Sequence, residues 1–209
     1  MNKLIDHTIL KPYATSVDIE KICAEAKQYR FKTVCVNPVY VKKAKELLKG
    51  SDVLVCTVVG FPLGANTIEV KEAETKDAIQ NGADEIDMVI NIGKAKEHDY
   101  EYLYQEMCRI RAAAQGKTLK VILETCYLTD EEKVAVCREA TKAKVDFVKT
   151  STGFGNGGAT VADVELMKKS VGNGVSVKAS GGIRNRTDLE AMVKAGATRI
   201  GSSAGKELL

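Results

Sequence analysis

The stretch Val145–Thr160, VDFVKTSTGFGNGGAT, carries an apolar, β-branched segment into a lysine and then into a loop with four glycines. Read as a strand, it places Phe147, Lys149 and Ser151 on one face and Val148 with Thr150 on the other. A short strand that runs through a glycine loop into a helical segment is one βα unit. A second stretch, Val175–Arg184, VSVKASGGIR, repeats the arrangement. There Lys178 shares a face with Ser176 and Ser180, opposite Val177 and Ala179.

Working outward, the same alternation of apolar runs and helical segments recurs along the whole chain. Candidate strands are Lys3–Asp6, Thr33–Asn37, Val53–Val59, Glu85–Asn91, Leu119–Glu124, Asp146–Ser151, Val175–Ala179 and Thr198–Gly201. About eight such units predict an α/β fold, a (β/α)₈ TIM barrel forming a single domain over 1–209. An open, doubly wound sheet is the competing architecture, since the same alternation also fits it. Among the helical segments, SVDIEKICAEAKQYR gathers Val17, Ile19, Ile22, Cys23 and Ala26 on one face, with Ser16 as a candidate cap. Thr129 and Glu132 have the spacing of a capping box.

Composition narrows the partners. The 209 residues are 44% hydrophobic and 28% charged, as in a globular domain with a full core. The 31 basic and 28 acidic residues are dispersed, for a net charge of +3. That pattern points to a small-molecule ligand, with no nucleic acid and no membrane as partner. MNKLIDHTIL resembles no secretion signal, so a cytoplasmic location is expected. The six cysteines, Cys23, Cys35, Cys56, Cys108, Cys126 and Cys137, fall at irregular spacings without a C-x-x-C pair and read as reduced core residues. Two histidines, His7 and His98, are too few for the imidazole-rich zinc centre of many lyases and hydrolases.

Gly153–Gly158, GFGNGG, matches the dinucleotide-binding pattern G-x-G-x-x-G in form. That fingerprint also requires an acidic residue about 20 positions on, where this chain has Val175–Lys178. The glycines fit better as a cradle in which backbone amides approach a single phosphate. The pair Gly181 and Gly182 and the segment GSSAG from Gly201 offer the same chemistry after later strands.

In EIDMVIN the set Ile86, Met88 and Ile90 is wholly apolar, which turns Glu85, Asp87 and Asn91 toward the barrel interior. Three strands therefore send charge inward. One reading is an interior of neutralising ion pairs with no chemistry. The other is an amine nucleophile: a free lysine, with a pKa of about 10.4, costs about 4.6 kcal/mol to present neutral at pH 7. Burial and a second nearby cation offset that cost, and two lysines on neighbouring strands are expected to depress the pKa of at least one. A neutral lysine forms an imine with a carbonyl, and Asp87 would move protons. Spacing alone treats Lys149 and Lys178 alike.

The segments LIDHTIL, VCVNP, TVVGFPLG, ADEIDMVIN, KVILET, FVKTSTGFG, VKASGGIR and RIGSSAG, in this order, resemble those of the Schiff-base deoxyribose-phosphate aldolases. The resemblance spans nearly the whole chain. It implies reversible cleavage of 2-deoxy-D-ribose 5-phosphate to glyceraldehyde 3-phosphate and acetaldehyde, with no metal and no organic cofactor, and a homodimer. Position by position, it makes Lys149 the imine former, Lys178 the lysine that perturbs it and Asp87 the proton-shuttling acid. Asp6 would support this polar network at the substrate, and Gly153, Gly181, Gly182, Gly201, Ser202 and Ser203 would hold the phosphate. Ala204 stands where some members have a hydroxyl. The resemblance also brings Cys35 near the site, although the residue reads better as a core thiol. A keto-acid aldolase on the same fold and a barrel that only binds sugar phosphate remain as rival readings.

Overall fold

The computed structural model describes Met1–Leu209. Its eight strands are β1 (Ile5–Ile9), β2 (Thr33–Val36), β3 (Leu54–Val59), β4 (Glu85–Val89), β5 (Thr118–Ile122), β6 (Phe147–Lys149), β7 (Ser176–Ser180) and β8 (Arg199–Ser202). All neighbouring pairs are parallel, and β8 pairs back onto β1 with Asp6 opposite Gly201. The sheet therefore closes into a (β/α)₈ barrel, and the open doubly wound alternative is excluded. The helices are α1 (Ser16–Tyr29), α2 (Val41–Leu47), α3 (Ile68–Gln80), α4 (Ile92–Lys96), α5 (Tyr100–Ala113), α6 (Asp130–Lys142), α7 (Val161–Ser170) and α8 (Arg186–Lys194). The connection from β4 to β5 holds two of them, the short α4 and then α5. None of these helices is long and apolar enough to cross a membrane.

Alternation fixes what each strand face meets. Ile86, Met88 and Ile90 are fully buried in the continuous layer between barrel and helices, together with Val121, Val148, Val177 and Ile200 from later strands. The opposite faces of the same strands turn Asp87, Lys120, Lys149, Lys178 and Arg199 into the barrel interior, where they bond to one another or to shared partners. Helix α6 starts at the expected box: Thr129 Oγ1 accepts from the Glu132 amide, and the Glu132 carboxylate accepts from the Thr129 amide at 2.7 Å.

Four local expectations need correction. The first strand is Ile5–Ile9, because Asn2–Leu4 curl into a 3₁₀ turn. The cap of α1 is Thr15 rather than Ser16, and its amide donates to the Asp18 carboxylate at 2.7 Å. Val17 is exposed, whereas Ile19, Ile22, Cys23 and Ala26 are buried as expected. Asn91 lies beyond the end of β4 and does not face the interior. Its side-chain oxygen accepts from the Lys94 amide at 3.1 Å and so caps α4.

Candidate active site

Asp87 is the hub of the interior. One carboxylate oxygen, Oδ2, accepts from Lys149 Nζ and from Lys178 Nζ, both at 2.8 Å, while Oδ1 accepts from Lys120 Nζ at 2.7 Å. Register places these groups: Ile122 lies opposite Lys149 and Lys149 opposite Lys178 across β5, β6 and β7, with Asp87 opposite Lys120 across β4 and β5. Asp6 from β1 accepts from Lys178 Nζ at 2.5 Å and from Arg199 Nη1 at 2.8 Å. Glu85 completes the lower layer, accepting from Lys120 at 2.6 Å and from Arg199 at 2.8 Å.

Three carboxylates thus face four cations in a nearly dry interior. With every group ionised, the cluster carries one positive charge in excess. Loss of a proton from one lysine balances it, and the cluster is therefore built to give one up. Burial disfavours the Asp87 anion, but Lys120, Lys149 and Lys178 outweigh burial and hold its carboxyl well below the usual range. Burial likewise opposes the Lys178 ammonium, and Asp6 with Asp87 outweighs it, so its pKa is raised. Lys120 is raised in the same way by Asp87, Cys56, Glu85 and Asp6. The depression expected of at least one lysine does not fall on Lys178, because the interleaved carboxylates outweigh the neighbouring ammonium groups.

The geometry separates the two lysines that spacing could not. Lys178 Nζ bonds two carboxylates, whereas Lys149 Nζ bonds Asp87 alone. Of the four interior cations, Lys149 is the one that lines the cavity, about 380 Å³, at the C-terminal mouth of the barrel. Active sites of this fold open at that end.

The cavity walls gather the six phosphate candidates. Gly153, Gly181, Gly182, Gly201, Ser202 and Ser203 all line it. Two of these expectations change in detail. Ser202 Oγ donates to the Ile183 carbonyl at 2.7 Å and accepts from the Ala204 amide at 3.0 Å, so this hydroxyl braces its own loop. Asp6 lies beneath the cavity and does not line it; its role is to hold Lys178 and Arg199. A Cβ at Gly201 would stand 3.0 Å from both Lys178 Cε and Ser180 Cβ, a tight contact at which these neighbours would have to give. Gly158, which sequence reasoning did not assign, lets the loops after β6 and β7 meet: a Cβ would lie 2.4 Å from the Gly181 carbonyl oxygen.

Sequence reasoning also missed Lys120, Arg199, Lys11, Arg184 and the Glu124–Thr152 contact. Lys120 had a legible signal, because Leu119 and Val121 point outward and leave it facing in, as Lys149 does. Lys11 and Arg184 line the cavity from loops, where no periodicity marks a direction. Glu124, with a left-handed backbone at φ 56°, accepts from the Thr152 amide at 3.2 Å and from the Thr152 hydroxyl. It thereby fastens the loop that follows Lys149.

A barrel whose cavity meets one strand-borne lysine, backed by a shared carboxylate, is matched by the family model of the DeoC/LacD family aldolases over residues 1–208. The chain belongs to the DeoC/LacD aldolase family. It is 59% identical over 208 residues to the deoxyribose-phosphate aldolase of Lysinibacillus sphaericus, covering 99% of this chain and 93% of that one. It is 61% identical over 203 residues to the deoxyribose-phosphate aldolase of Clostridium perfringens, covering 97% and 91%. Among solved structures, the tetrameric deoxyribose phosphate aldolase of Aeropyrum pernix superposes with a TM-score of 0.93 at 35% identity, covering 99% of this chain and 88% of that one. The aldolase QR15 superposes with a TM-score of 0.94 at 39% identity, covering 99% and 93%.

Proposed function

We propose that this aldolase cleaves 2-deoxy-D-ribose 5-phosphate reversibly to glyceraldehyde 3-phosphate and acetaldehyde, through an imine on Lys149. The observation that carries the reading is the single-partner lysine on the cavity floor of a cluster with one cation in excess. The substrate itself rests on the relatives named above.

In this reading Lys149 loses its proton and attacks C1 of the open-chain sugar. The carbinolamine expels water, and the resulting iminium draws electrons from the C2–C3 bond. Asp87, kept anionic by its ammonium neighbours, takes the proton released as the C3 hydroxyl becomes an aldehyde, directly or through water. Glyceraldehyde 3-phosphate leaves. The enamine that remains takes a proton at C2, and hydrolysis frees acetaldehyde and Lys149. Lys178 contributes its field, disfavouring a second ammonium at Lys149, and Asp6 holds it there. The phosphate sits against Gly153, Gly181, Gly182, Gly201 and Ser203, with Lys11 and Arg184 supplying countercharge from the same cavity wall.

Incubation with acetaldehyde followed by borohydride tests the chemistry. An ethyl group on Lys149, located by peptide mass spectrometry, is the expected product; folded protein with no adduct on either Lys149 or Lys178 would overturn the mechanism and leave a sugar-phosphate-binding barrel. Turnover of the deoxy sugar phosphate against keto-acid phosphates then separates the substrates. The protein is further proposed to be a cytoplasmic homodimer, with light scattering to distinguish that from a tetramer such as the Aeropyrum pernix relative forms.

A further inference from the structure

The thiols of Cys35 and Cys56 are buried nucleophiles that the lysine chemistry leaves unused. They stand on adjacent strands in direct register, Cys35 of β2 opposite Cys56 of β3. Parallel neighbours lie about 4.8 Å apart, inside the span of roughly 4.4–6.8 Å that a disulfide bridges between Cα atoms. Both residues are fully buried, and both are free thiols. Their sulfurs and an Asp87 carboxylate oxygen all lie within 4.8 Å of one another. The Cys56 thiol donates to Asp87 Oδ1 at 3.2 Å, and its sulfur accepts from Lys120 Nζ at 3.3 Å.

We propose that Cys35 and Cys56 form an oxidisable dithiol site in the wall of the lysine cluster, which hydroperoxides convert to a disulfide that impairs the aldolase. The two sulfurs are unequal in a useful direction. The neighbouring Cys56 thiol, with Lys178 and Lys149, favours the Cys35 thiolate, while burial pushes Cys56 upward. Cys35 is then the attacking sulfur and Cys56 the resolving one. Thr8, the register partner of Cys35 on β1, lines the cavity, so a peroxide held there is one side chain away.

The chemistry balances with hydrogen peroxide as the named oxidant. The Cys35 sulfur attacks one peroxide oxygen, the O–O bond breaks, and the leaving oxygen departs as water with the thiol proton. Cys56 then attacks the sulfenic sulfur, the S–O bond breaks, and the hydroxyl leaves as a second water with the Cys56 proton. The two thiols lose two electrons and two protons, and the peroxide becomes two waters. The disulfide removes the S–H donor from Asp87 and the sulfur acceptor from Lys120. Cys56 and Lys120 both contact Asp87, the carboxylate that Lys149 depends on.

The inference uses the proposed aldolase reaction for one readout only, and the covalent readout is independent of it. Whole protein is treated with hydrogen peroxide, capped with N-ethylmaleimide, digested without reductant and mapped by mass spectrometry. A peptide cross-linked between Cys35 and Cys56 is expected to appear in step with a loss of cleavage activity that dithiothreitol restores. Cys56→Ser protein treated alike should form no cross-link and should carry Cys35 past the sulfenic acid to the sulfinic acid, which dithiothreitol does not reduce. Recovery of both cysteines as maleimide adducts or as sulfinic acids overturns the proposal, as does a cross-link that leaves activity intact. If Cys56→Ser does not fold, the unsubstituted protein's peptide map and reductant recovery decide.

Discussion

Replacing Lys178 by methionine tests the electrostatic argument most directly, because it removes one charge and keeps most of the side-chain volume. Lys149 Nζ and Lys178 Nζ each lie 2.8 Å from the same oxygen of Asp87, so the two nitrogens stand no more than about 5.6 Å apart. At an effective dielectric of about 20, two unit charges at that separation repel by roughly 3 kcal/mol. A repulsion of that size is a factor on the order of 100 in an equilibrium. Removing the Lys178 charge also leaves three cations against three carboxylates, so the cluster no longer gains balance when Lys149 gives up its proton. Imine formation near pH 7 should slow, and kcat/KM should fall on the order of 100-fold. The assay is a pH–rate profile for cleavage of the deoxy sugar phosphate, with aldehyde release coupled to a nicotinamide-dependent reduction. Lys178→Met should move the acidic limb to higher pH and recover part of its deficit at alkaline pH. A loss of equal size at every pH, with the limb unmoved, would refute the reasoning and give Lys178 a purely structural place.

Other consequences follow from the same contacts. Lys120→Met strips Asp87 and Glu85 of their shared cation in a dry interior, so chemical denaturation should show a loss of about 3–5 kcal/mol, a value for a broken buried pair; a change within about 0.5 kcal/mol would contradict the assigned contacts. Arg184→Ala should raise KM for the phosphorylated sugar by on the order of 10-fold, as for a lost charge-assisted hydrogen bond, while cleavage of unphosphorylated deoxyribose changes little. Equal losses on both substrates would place Arg184 elsewhere in the cycle. Asp6 and Asp87 are both held below the ordinary carboxylate range, so their stabilisation is complete above an unfolded pKa of about 3.9 and is lost as pH falls through the lower folded values. Melting temperature should therefore decline below about pH 4, and Asp87→Asn should flatten that decline.

The legibility of this site follows from the periodicity of strands. Ile86, Met88 and Ile90 are apolar without exception, and that alone turned Asp87 inward; the same reasoning turned Lys149 and Lys178 inward against Val148 and Val177. Lys120 obeyed the identical rule and was readable in TLKVI, yet a lone lysine between apolar residues draws less notice without a glycine loop after it. Lys11 and Arg184 carry no such signal, because loop side chains have no repeating direction. Asn91 shows where the rule stops: alternation holds only while the chain stays extended, and β4 ends at Val89.

By itself the sequence determined the number of βα units, the apolar and charged faces of the strands, and the glycine loops that follow them, since all of these are properties of neighbours along the chain. Closure of β8 onto β1 decided the rest. It brings Asp6 to Lys178 across 172 positions and Arg199 to Asp6 across 193, distances over which no local pattern carries information. Only then do three carboxylates and four cations become one cluster with a single excess charge, and only then do Lys149 and Lys178 differ, one with a single carboxylate at the cavity and the other locked between two beneath it. Charge interacts through space, so the identity of the nucleophile is a property of the closed barrel.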